Sequence, residues 1–222
     1  MKGIIVTLPR KQKRREKTQE IGFSGVITYV KRYGAISFYT FCFAVGMLMG
    51  SLSARGAEEG VMNNLDFLFT TNLAARLDQP MYMTFVSGLS SNFLFFLAAF
   101  LCGLTLWGIG PLFTIPVFKG YGTGISAGYL FINFGFRGIG FYLLVILAGT
   151  FLFTFSLVIE CTQSHRMSLR LLRYFISDKT EKTTVLICLK SFLLKSFFAL
   201  ILSVMAALCD MLLWSFFARM FF

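Results

Sequence analysis

Five stretches of the chain stay apolar for about twenty residues with only isolated polar interruptions: 34–52, 84–106, 111–132, 138–159 and 196–218. A hydrocarbon core about 30 Å thick is crossed by roughly 20 helical residues. At that depth the backbone must satisfy its own polar groups, which makes the helix the form such runs take. The pattern predicts an all-α, polytopic membrane bundle of about five transmembrane helices. Residues 1–33 form a basic N-terminal segment and residues 34–222 the five-helix domain. The small residues of "SLSA" stand where a signal-peptide cleavage site could lie. The first apolar run is nevertheless of full spanning length and follows a long basic leader, so it reads as an uncleaved first helix.

The polar positions between the runs set the orientation. Residues 1–33 carry nine Lys or Arg, including the run "RKQKRREK", and residues 160–195 carry seven more. The segments on the other side hold four: Arg55, Arg76, Arg137 and Arg219. This asymmetry predicts a cytoplasmic N-terminus and an outer C-terminus. The largest outer piece is then the 53–83 loop, with Glu58, Glu59, Asp66 and Asp78, which offers a surface to an extracytoplasmic partner. Composition agrees with a lipid bilayer as the surroundings: 56% of residues are hydrophobic and 14% charged, and 28 are Phe. The net charge of +11 follows from the positive-inside bias, and no nucleic-acid partner is expected.

The polar residues inside the runs are the candidate chemistry. In "GLTLWGIGPLFTIPVFKGYGTGISAGYL", Gly103 to Leu130, Pro111 opens the third helix after a short turn and Pro116 weakens the backbone ladder just before Lys119. Gly120, Gly124 and Gly128 recur every four residues, a small-residue strip that admits a second helix to backbone contact; Gly122 and Ser126 widen it. The strip reads as packing within the chain, with a homo-oligomer seam as the alternative. Lys119 needs a partner at this depth. Asp210 in the fifth helix, Glu160 at the end of the fourth and the inner headgroups all remain open. In "HRMSLRLLRYF", Arg166, Arg170 and Arg173 share one helical face; they read first as charges that fix the topology, and the alternative is a helix lying on an anionic leaflet. The single histidine, His165, reads as solvated.

No catalytic constellation accompanies these groups. The five cysteines form no CxxC, and there is no HExxH, no paired carboxylates and no cofactor loop. No metal, no cofactor and no enzymatic activity are expected. An ion or small-solute channel or transporter subunit, with Pro116, Lys119 and Asp210 as a broken-helix site, is the alternative function.

A glycine-containing helix, a short turn, a proline-started apolar helix, "FKGYGTGISAGYL" and a glycine-led next helix together resemble the stage II sporulation protein M family. Gly103, Pro111, Lys119, Gly120, Gly124 and Gly128 carry the likeness, detailed over residues 95–160 and looser elsewhere. The resemblance implies a structural protein of the bacterial cytoplasmic membrane, at the sporulation septum on the mother-cell side. It implies a scaffold that localises peptidoglycan hydrolases, a lytic transglycosylase and an amidase/endopeptidase, during forespore engulfment.

Overall fold

The first long helix is α1 (Gln12–Ser53), and Pro80 caps α2 (Met81–Leu104). A turn at Thr105–Gly108 leads to the one-turn helix α3 (Ile109–Leu112), which holds Pro111, and then to α4 (Thr114–Phe141). A π-helical turn, Tyr142–Ile146, joins α4 to α5 (Leu147–Ile176), and α6 (Lys182–Phe221) follows. This computed structural model describes residues 12–54, 80–176 and 182–221. Much of the expected 53–83 outer loop lies outside them, as does the start of the basic leader. Residues 1–37 and 38–222 are separate compact units, and the packing below concerns the second.

Among the described residues, four helical stretches are long and apolar enough to cross a membrane: Tyr33–Ser53, Met81–Leu104, Ile109–Ile176 and Leu186–Phe217. The third is 68 residues long, far more than one crossing needs. It breaks at Gly135, whose φ of 57° and ψ of −133° lie in a region that only glycine occupies readily. The chain then doubles back. A Cβ on Gly138 would run into the carbonyl of Leu130, although eight residues of straight helix would separate them by about 12 Å. The third stretch is thus a hairpin of two crossings, and the described residues make five.

The far side of this hairpin is held by an apolar cluster. Leu130 from the rising arm meets Phe141, Tyr142, Val145 and Ile146 from the returning one, with Trp214 of α6 closing over them. The Phe141 and Trp214 rings meet edge to face at 5.4 Å. At the opposite end, which carries Arg166, Arg170, Arg173, Lys190 and Lys195 and is termed the basic end, Phe100 of α2 stacks on Phe192 of α6 at 5.4 Å. Outward-facing residues are mostly large and apolar, among them Phe41, Leu52, Phe151 and Phe198. In water such a surface would aggregate; in lipid it is the solvated one.

Candidate functional site

The glycine strip of α4 is covered from within the chain. A Cβ on Gly120 would strike the carbonyl of Phe43, and one on Gly124 that of Met47; at Gly128 it would come 2.6 Å from the Cβ of Ala54. The fit is reciprocal, since Gly46 and Gly50 of α1 face the carbonyls of Val117 and Tyr121. Two helices therefore touch backbone to backbone over two turns. The run "GMLMGSLSA" carried the matching small-residue spacing at Gly46, Gly50 and Ala54, and the sequence reading missed it. With α1 seated there, the strip is not available as a seam for a second copy.

This contact fixes the rotation of α4 and with it the direction of Lys119. Pro116 is fully buried, and the hydroxyl of Thr114 caps the carbonyl of Pro111 at 2.7 Å. From the next turn Lys119 reaches across to α2, where its Nζ donates to Ser91 Oγ and to Asn92 Oδ1, both at 3.2 Å. The ammonium also lies 5.1 Å from the ring centre of Phe95 and 4.9 Å from that of Phe153. Aromatic faces attract a cation most strongly when water is excluded, and Lys119 is only 6% exposed. The side chain does not snorkel to headgroups: it ends at the middle of α2. The signal for its partners was "SSN" at 90–92, the one unbroken polar triplet in the second run.

Asp210 comes to the same interface from α6. Its Oδ2 lies 3.8 Å from where a Cβ on Gly88 would stand, and its own Cβ 2.8 Å from one on Gly149. Gly88 is one turn before Asn92 on α2, and Gly149 is one turn before Phe153 on α5. Asp210 thus sits about one helical turn, roughly 5 Å, from the level of the ammonium, between the same two helices.

Glu160 belongs to a second polar layer nearer the basic end. It is fully buried, and its Oε1 accepts the hydroxyls of Ser196 at 2.9 Å and Ser164 at 3.5 Å. Its Oε2 has no hydrogen-bond partner among the described residues. Gly103 of α2 makes room for this layer: a Cβ there would lie 2.8 Å from Ser164 Oγ and 2.9 Å from the Phe192 ring. One turn further, Ser168 donates to the carbonyl of Thr105 at 2.8 Å, which ties α5 to the end of α2. Glu160→Gln keeps the acceptor oxygen and is expected to change stability by less than about 1 kcal/mol. Glu160→Ala strands Ser196 and opens a cavity, and is expected to cost about 2–4 kcal/mol in an SDS-unfolding titration.

Arg166, Arg170 and Arg173 are exposed along one side of α5, which continues without interruption from the membrane run to Ile176. The fourth crossing therefore projects past the bilayer as one helix, where the sequence pattern allowed a separate surface helix. No proline or glycine after Gly149 interrupts it. His165 is not solvated but half-buried, and its Nδ1 shares a hydrogen bond of 3.1 Å with the hydroxyl of Tyr39 on α1.

A helical bundle whose described residues make five crossings, with an apolar exterior and Lys119 and Glu160 buried inside it, is a multi-pass membrane protein. Its family can be stated as well: residues 39–217 match the family described as Stage II sporulation protein M, and the chain belongs to it. The match runs from within the first crossing to the end of the last and makes this a sporulation-related membrane protein. No curated protein and no solved structure matches the chain.

Proposed function

We propose that the protein is a non-catalytic scaffold of the bacterial cytoplasmic membrane that recruits peptidoglycan hydrolases, a lytic transglycosylase and an amidase/endopeptidase, to the septum during engulfment. The family match over 39–217 carries this reading. The charge bias supports a cytoplasmic N-terminus, which would leave the 53–83 segment of the sequence on the wall side for such partners. The buried polar groups support a holding role: Lys119 is bound by Ser91 and Asn92 and enclosed by Phe95 and Phe153, and Glu160 is bound by Ser196 and Ser164. These contacts tie helices together.

The test is fluorescence localisation of tagged hydrolases in sporulating cells with and without the gene. The scaffold reading expects them to leave the septum and disperse when the protein is absent. Hydrolases that remain septal at normal levels would overturn it.

A further inference from the structure

The hairpin tip between the third and fourth crossings, "FINFGFRG" at 131–138, is apolar where a water-facing turn would be polar. Phe131 and Ile132 are each 51% exposed and Phe136 is 89% exposed, while Arg137 is exposed beside it. The left-handed residue Gly135 turns the chain so that Phe136 stands off the end of the hairpin and leaves the inward cluster of Leu130, Phe141 and Tyr142.

The length of the rising arm shows where this tip lies. At the basic end, the turn before α3 presents Trp107, also 89% exposed, a residue type that collects at the membrane–water interface. From there the path is helical over residues 109–134, including Phe113, whose backbone is itself helical. That path rises about 39 Å, against about 40–45 Å for a bilayer with both headgroup layers. With Trp107 in one interface, residues 131–137 fall in the other.

We propose that this tip is a lipid-binding surface: Phe131, Ile132 and Phe136 enter the opposite leaflet at the glycerol level, and the Arg137 guanidinium binds lipid phosphate. The occupant follows from depth and charge together. An apolar fringe around one cation suits a layer of acyl chains topped by phosphates, and a guanidinium makes paired hydrogen bonds to phosphate oxygens. The inference rests on the five-crossing fold and is independent of the scaffold reading.

The experiment places a single tryptophan at the tip. Phe136→Trp is made in a Trp107→Phe, Trp214→Phe background and reconstituted in vesicles of phosphatidylcholine and phosphatidylglycerol. Blue-shifted emission, quenching by lipids brominated near the glycerol end of the acyl chain and weak quenching by aqueous iodide are expected. Emission typical of water, strong iodide quenching and indifference to brominated lipid would overturn the proposal and leave the tip as a water-exposed surface. A second probe covers the case in which the double background fails to fold. A nitroxide on Phe136→Cys, with the native cysteines replaced, is expected to show greater oxygen than nickel-chelate accessibility. The reverse order would overturn the proposal.

Discussion

Gly124→Leu is expected to unfold the bundle. The leucine side chain would have to pass through the carbonyl of Met47, which belongs to the backbone of α1 and cannot rotate aside. Overpacking against adjustable side chains typically costs about 1–3 kcal/mol; against rigid backbone the loss should exceed about 3 kcal/mol, because α1 must part from α4. Separation exposes the reciprocal contacts at Gly46 and Gly50 as well. Gly46→Leu should therefore be about as damaging. The two together should cost less than their sum, since the first has already opened the seam. Gly110→Ala is the control, because nothing lies within 4 Å of its added Cβ. SDS-unfolding midpoints and the yield of folded protein in detergent measure the series. A Gly124→Leu protein with the stability of the wild type would refute the α1–α4 contact.

Lys119→Met and Asp210→Asn should each destabilise the bundle, and the double variant should recover much of the loss. Lys119→Met removes the ammonium but leaves an acid between Gly88 and Gly149; Asp210→Asn leaves the ammonium with Ser91, Asn92 and two aromatic rings. Breaking a buried pair costs about 3–5 kcal/mol, chiefly because one charge is left uncompensated. A double-mutant cycle isolates the coupling. A coupling above about 1 kcal/mol would show that the charges act as one unit across the α2–α5–α6 interface. Strict additivity would show that the polar groups of α2 hold the ammonium independently of Asp210.

The hydropathy pattern made the bundle legible because lipid imposes one length on every crossing. The extent of helix beyond the membrane runs was less so: α1 is helical from Gln12, α5 as far as Ile176, and α6 from Lys182. There the residues are polar, so the membrane ruler no longer applies, and continued helix follows from the lack of prolines. The break at Gly135 was visible as a gap between runs 111–132 and 138–159, although its backbone angles were not. Gly120, Gly124 and Gly128 could be read as one face from spacing alone. Their partner could not, because small-residue spacing does not say which helix answers it. Lys119 was conspicuous by its charge, whereas Ser91, Asn92 and Phe153 became its neighbours only through the rotation imposed by the α1–α4 contact.

If the protein is the proposed scaffold, its buried charges serve the fold alone and recruitment resides elsewhere in the chain. The most direct test is hydrolase localisation in sporulating cells whose only copy is the Lys119→Met/Asp210→Asn double variant, at wild-type abundance. Tagged hydrolases are expected at the septum as in the wild type. Dispersed hydrolases, with the double variant folded and present in the membrane, would contradict it and assign the buried charges a direct part in function.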